Sequence, residues 1–149
     1  MRCRFICRLI QAAWSLPPES GVKDYDIFDF DTDLSWEAES DGIVRTRQLF
    51  QDLDAKVDIK NQARVHLCYG ERFGRAYPRL ESAKHGIDRY LVAGTCIGLD
   101  PGTGEVYAPY GLDDVALGYL RPNPKNIHPD LFHQKATSYQ LRWPWLRIV

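Results

Sequence analysis

From Lys23 to Asp31 the chain reads Lys-Asp-Tyr-Asp-Ile-Phe-Asp-Phe-Asp, acids alternating with aromatic and aliphatic residues at a period of two. That period predicts a β-strand. Asp24, Asp26, Phe28 and Phe30 would face one way, and Tyr25, Ile27, Asp29 and Asp31 the other. A second alternating run, Ala55 to Ile59, predicts another strand, with Asp58 facing opposite to Val57 and Ile59. Between them Trp36, Ile43 and Phe50 recur every seven residues, widened by Leu49 and Leu53, which predicts a helix from about Trp36 to Leu53. Ser35 is the expected N-cap, and Glu37 and Glu39 suit the positive end of the helix dipole.

Elsewhere the pattern is shorter-ranged. Phe5, Leu9 and Ala12 or Ala13 fit a short opening helix, ended by Pro17-Pro18, whose rings cannot continue it. Ala63, Val65 and Leu67 alternate with Arg64 and His66, which predicts an extended segment over Asn61–Leu67. Gly, Arg and aromatic residues over Tyr69–Arg79 predict a loop, and Ser82 a cap for a helix from Ala83 to about Leu91. Two short apolar runs around Asp100-Pro101-Gly102-Thr103-Gly104 predict a β-hairpin. A short helix or strand follows, ending near Leu120, and then a rigid Arg121-Pro122-Asn123-Pro124 loop. A last helix opens near Pro129 and carries Phe132, Ala136, Tyr139 and Trp143 as its buried stripe. Trp145 and Leu146 are expected to fold back onto the core.

Chain length changes this picture little: 149 residues suit one domain that buries roughly 70% of its unfolded surface. Net charge does more. At −1 the chain has no basic field to recruit nucleic acid. No apolar run is long enough to span a membrane, and Arg8 interrupts the apolar core that a signal peptide would need. Cys3, Cys7, Cys68 and Cys96 lack paired zinc-type spacing, so free thiols in a reducing cytoplasm are expected.

The candidate chemistry lies in the first strand. Asp24 and Asp26 share a face roughly 6–7 Å apart. Carboxylates approaching to about 5 Å at an effective dielectric near 20 repel by about 3 kcal/mol. A divalent cation such as Mg²⁺ would relieve that repulsion. The plainer alternative is an edge strand whose acids simply face water, discouraging aggregation. Arg64 and His66 could bind phosphate or serve as structural partners. A calcium loop starting at Asp29 is excluded, because its sixth residue is Leu34 rather than Gly and its twelfth is Ser40 rather than Glu. No serine elbow and no phosphate-binding glycine loop is present.

Two acids on one strand, a helix, and a third acid on the next strand resemble the metal site of polymerase-β-type nucleotidyltransferases. More closely, the chain resembles a bacterial family of small nucleotidyltransferase-like proteins. The likeness rests on Lys23-Asp24-Tyr25-Asp26, Phe28, Phe30-Asp31, Leu34-Ser35-Trp36-Glu37, and Asn61-Gln62-Ala63-Arg64-Val65-His66-Leu67. It continues through Ala108-Pro109, Gly111-Leu112-Asp113-Asp114, Arg121-Pro122-Asn123-Pro124 and Arg142-Trp143-Pro144-Trp145-Leu146. The resemblance implies an α/β (α+β) fold: a single nucleotidyltransferase-like domain with a small mixed β-sheet flanked by helices.

It further implies Asp24, Asp26 and Asp58 as catalytic, metal-binding acids, for one or two Mg²⁺ ions. Asn61, Arg64 and His66 would be substrate-binding residues. The superfamily's chemistry is in-line attack on the α-phosphate of a nucleoside triphosphate, which transfers a nucleoside monophosphate to an acceptor, here unidentified. That superfamily also grips triphosphate with a glycine-containing loop before the acidic strand. This chain has Met1-Arg2-Cys3-Arg4 near that place and no glycine before Gly21. The expectation is therefore either a domain truncated at its N-terminal part or a catalytically inactive binding module that keeps the acids.

Overall fold

The computed structural model describes residues 24–52 and 56–149. They form two compact units, residues 24–86 and 87–149. The opening helix expected over residues 5–13 lies outside the described residues.

In the first unit, the alternating acidic stretch is strand β1 (Tyr25–Asp29), and the second alternating run is β2 (Val57–Asn61). They pair in parallel, Tyr25 with Val57, Asp26 with Asp58 and Ile27 with Ile59. Parallel strands need a long crossover, and here it contains helix α1 (Trp36–Leu49). Ser35 caps α1 as its chemistry predicts, its Oγ accepting from the Ala38 N–H at 3.2 Å. The helix stops at Leu49, short of the expected Leu53, and its buried face differs from the expected stripe. Thr46 is buried, whereas Trp36 and Leu49 are 63% and 76% exposed. Burial is confined to the middle of α1, around Glu39, Gly42, Ile43 and Thr46, and Trp36 and Leu49 stand in its exposed first and last turns.

The segment expected to be extended after β2 is helical instead. A 3₁₀ turn (Gln62–Arg64) leads into α2 (Val65–Phe73), which ends at Gly74 in the left-handed conformation, φ 65°. Asn61 starts the turn, its Oδ1 accepting from the Ala63 N–H at 3.0 Å. Val65, Tyr69 and Phe73 lie four apart, the helical spacing, and this period prevails over the alternation of Ala63, Val65 and Leu67. The part of the expected loop from Tyr69 to Phe73 is thus helix, and the Tyr69 ring packs 4.6 Å from Phe73 and 4.4 Å from Tyr77. Helix α3 (Ala83–Asp88) follows, with Ser82 Oγ accepting from the His85 N–H at 3.2 Å. Gly86 has no room for a side chain: a Cβ there would collide with the buried Gln62 amide and meet the Phe28 ring at 3.2 Å.

The second unit contains the expected hairpin, β3 (Gly98–Leu99) and β4 (Val106–Tyr107), antiparallel. Asp100 closes its turn by accepting from the Gly102 and Thr103 N–H groups at 2.8 and 3.2 Å. Helix α4 (Asp113–Leu117) ends at Gly118, φ 70°, and β5 (Tyr119–Leu120) pairs in parallel with β6 (Arg147–Ile148). A 3₁₀ turn at Pro129–Leu131 runs into α5 (Phe132–Gln140). Phe132 and Ala136 join Val92 and Leu120 in the buried core, with Tyr139 and Leu146 packed against it. The fold is therefore a mixed α/β one, whose strands pair two by two among the described residues.

A polar network holds the loops of this unit. Asn123 Nδ2 donates to the Asp88 and Tyr90 carbonyls at 2.7 and 2.6 Å, while its Oδ1 accepts from the Tyr110 hydroxyl at 2.6 Å and the Lys125 N–H at 2.9 Å. The Asp88 carboxylate accepts from the Tyr107 hydroxyl at 2.7 Å and from Lys125 Nζ at 3.2 Å. The bond to Asp88, reinforced by burial, pushes the Tyr107 pKa from 10.0 up to about 12. Because the neutral phenol is favoured in the fold, this contribution is complete below pH 10.0 and is lost as pH rises through about 12. Wild type should therefore exceed Tyr107→Phe in urea midpoint at pH 8, and the gap should shrink by pH 11. A gap independent of pH would show that the hydroxyl has no such coupling.

Candidate functional site

The parallel register composes one face of the β1–β2 ladder from the residues that the alternation singled out. Asp26 stands directly across from Asp58, and Asp24 lies two residues before Asp26 on the same face. Two further side chains complete it. Lys56 Nζ lies 3.2 Å from Asp58 Oδ2 and 3.9 Å from Asp24 Oδ2, and Lys60 Nζ lies 3.6 Å from Asp26 Oδ1. The three carboxylates are each about two-fifths exposed, so the face is open to solvent. Lys56 and Lys60 had not been singled out. The signal was present: Lys56-Val57-Asp58-Ile59-Lys60 alternates at the same period as the acids.

Asn61 and Arg64 lie elsewhere. Asn61, three residues past Asp58, is on the opposite face of β2 and is buried. Its Oδ1 accepts from the Asp31 N–H at 3.1 Å and its Nδ2 donates to the Asp31 and Asp33 carbonyls at 2.9 and 3.4 Å. With the Ala63 bond, its amide is fully engaged in fastening the loop after β1 to the turn after β2. That loop is a ladder of carboxylate bonds. Asp31 accepts from the Asp33 N–H and Asp33 from the Ser35 N–H, each at 2.9 Å. The bond from the Ser35 N–H, aided by the Ser35 hydroxyl, holds the Asp33 carboxyl below its ordinary range.

Arg64 reaches back to the same loop. It pairs with Glu39, donates to the Leu34 carbonyl, and sits 5.9 Å from the Trp36 ring. A small cleft of about 30 Å³ opens on this side, lined by Asp29, Asp31, Glu39, Gly42, Ile59 and Asn61 among others. His66 is on α2, half-buried, and its Nδ1 is shielded from solvent with no hydrogen-bond partner among the described residues. The six expected site residues therefore divide. Asp24, Asp26 and Asp58 share a face, Asn61 and Arg64 brace the loop leaving β1, and His66 sits on the next helix.

A hard divalent cation is suited by this face in kind, since it offers only carboxylate oxygens as ligands. In the arrangement seen, the ammonium groups of Lys56 and Lys60 lie against those oxygens. Among the described residues no three His, Cys, Asp or Glu side chains converge as metal ligands.

A parallel β–α–β unit with two acids on one strand and a third across from them is the arrangement on which the resemblance to nucleotidyltransferases rests. The profile of a nucleotidyltransferase family matches residues 9–148, and the chain belongs to that family. A solved structure described as "The NMR structure of the protein reveals a CCA-adding enzyme head domain" aligns with a TM-score of 0.73 and 22% identity. The alignment covers 99% of this chain and 78% of that one, a likeness of fold. No curated protein matches the chain. No helix among the described residues is long and apolar enough to cross a membrane.

The Asn61 geometry yields a stability prediction. Asn61→Ala removes four hydrogen bonds, three part-buried and one, to the Ala63 N–H, buried, which should cost about 2 kcal/mol in urea unfolding with an unchanged denaturant slope. A loss under about 0.5 kcal/mol, the range of an ordinary surface substitution, would show that the loop is held by other contacts.

Proposed function

We propose that the chain, acting as one domain in the cytoplasm, is a Mg²⁺-dependent nucleotidyltransferase. It transfers a nucleoside monophosphate from a nucleoside triphosphate to an acceptor hydroxyl, with Asp24, Asp26 and Asp58 as its acidic residues. The observation that carries this is the β1–β2 register, which sets Asp26 across from Asp58 with Asp24 on the same open face. Membership in a nucleotidyltransferase family supports the class of chemistry.

The chain's own groups divide the work. The three carboxylates supply hard oxygen ligands, and a bound divalent ion would neutralise charge on the polyphosphate. Asn61 and Arg64 are positioning residues, fixing the loop that leaves β1 and so the orientation of the acidic strand. His66, half-buried on α2, is the candidate among these three for a contact with nucleotide or acceptor. The net charge of −1 favours a small or otherwise recognised acceptor over one held by a general basic field.

A second reading is favoured by the lysine–carboxylate pairs, since each acid already has an ammonium neighbour. In it the chain is a catalytically inactive binding module whose acids are a structural remnant. Titration calorimetry with each nucleoside triphosphate, with and without Mg²⁺, separates the two. The enzyme reading expects Mg²⁺-dependent binding that falls by at least about tenfold, roughly 1.4 kcal/mol, in the Asp24→Asn, Asp26→Asn double variant. A folded wild-type chain that binds no triphosphate at millimolar concentration leaves the inactive module.

A further inference from the structure

The face proposed for metal is a lattice of both charges. Along β2, Lys56, Asp58 and Lys60 alternate onto it, and across the ladder they interleave with Asp24 and Asp26. Three carboxylates thus face two ammonium groups, and the Lys56 ammonium lies within 4 Å of two acids at once. A bare divalent cation entering this face must displace both lysines and leave their charges beside its own. A cation that arrives already bound to a polyphosphate meets a different situation. The carboxylates take the metal, and the displaced ammonium groups find phosphate oxygens at once.

Both lysines can make that move. Their side chains are 65% and 47% exposed, and each hangs on a flexible four-carbon stem. Exposed ion pairs of this kind are weak and readily exchanged.

We propose that Lys56 and Lys60 are exchangeable counter-cations, which hold Asp24, Asp26 and Asp58 when the face is empty and transfer to the polyphosphate when a metal–polyphosphate complex binds. The face then selects the complex over the free metal, and the lysines are its phosphate-contacting residues. This rests on the reading of the face as a nucleotidyltransferase site, and it adds residues and an order of binding to that reading.

The test is calorimetry of the full chain with Mg²⁺ alone and with inorganic tripolyphosphate in excess Mg²⁺, which removes the base and sugar from the comparison. Wild type should bind Mg²⁺–tripolyphosphate at least about tenfold more tightly than Mg²⁺ alone. The Lys56→Ala, Lys60→Ala double variant should bind Mg²⁺ alone about three- to tenfold more tightly than wild type, since its acids have lost their internal competitors. The same variant should bind Mg²⁺–tripolyphosphate at least about tenfold more weakly, and Lys56→Arg, Lys60→Arg should restore that binding. Both lysines are exposed, so the variants are expected to fold, and circular dichroism verifies it; single Gln variants at each position give the same two readouts at smaller amplitude.

Any result in which only one of the two affinities moves overturns the exchange. If wild type binds Mg²⁺–nucleotide in an Asp24- and Asp26-dependent way while the lysine variants match it, the counter-cation role fails and the nucleotidyltransferase reading survives. If wild type binds neither tripolyphosphate nor nucleotide, both fail.

Discussion

The register of one parallel strand pair decides what the first unit can do. Because side chains alternate between the two faces of a strand, a slip of one residue would send Asp26 and Asp58 to opposite sides of the ladder. Alternation within the strands opposes such a slip, which would set Tyr25 and Ile27 on the face of Asp58 and Lys60 instead of that of Val57 and Ile59. Contacts at the ends of the pair pin it further. The Tyr25 N–H donates to the Lys56 carbonyl at 2.8 Å, and beyond the last pair, Asp29 with Asn61, the Asn61 amide fastens the loop from Asp31 to Asp33. Arg64 adds a second tether from the following turn to Leu34 and Glu39. The Asn61 amide and the Arg64 guanidinium bond to the loop and helix beyond β1 and not to the acids of the open face, yet they hold the strand that presents those acids.

Electrostatics then sets what that register costs. Like charges directly across a ladder are destabilising, and Asp26 opposite Asp58 is such a pair. Lys56 and Lys60 stand diagonally to them and offset the repulsion from within the fold. The balance is loose, because the pairs are exposed and weak. A tightly buried arrangement would have fixed the carboxylates to their partners, whereas this one leaves them available to a stronger cation.

Sequence patterning revealed as much as strand periodicity can carry. Asp24, Asp26 and Asp58 were legible because a period of two assigns faces without reference to any distant residue, and Ser35 was legible because an N-cap acts within three positions. The start of the helix over Val65–Phe73 was misread as extended, because the alternation of Ala63, Val65 and Leu67 overlaps the four-residue spacing of Val65, Tyr69 and Phe73. Choosing between them depends on Asn61, whose side chain starts the turn. The role of Asn61 itself was hidden, since its partners Asp31 and Asp33 lie about thirty residues away. Trp36 fits an apolar heptad with Ile43 yet lies exposed near Arg64, because it stands in the first turn of α1, whereas burial falls on the middle of the helix, at Ile43 and Thr46. The Lys56–Lys60 alternation was visible but carried no weight while only the acids were counted.

Motif and support therefore separate within a short span. Asp58, Lys60, Asn61 and Arg64 lie within seven consecutive residues, yet the first two belong to the open face and the last two to the brace behind the strand. The change happens at the end of β2, where extended backbone gives way to a 3₁₀ turn and successive side chains cease to alternate. A run of polar residues in sequence thus became two structural parts with different tasks, one presenting charge and the other fixing the geometry in which it is presented. Weak, exposed pairs suit the first task, because its partners must change on binding. Saturated, shielded hydrogen bonds suit the second, because a brace that exchanged its partners with solvent would let the register drift and scatter the carboxylates it serves.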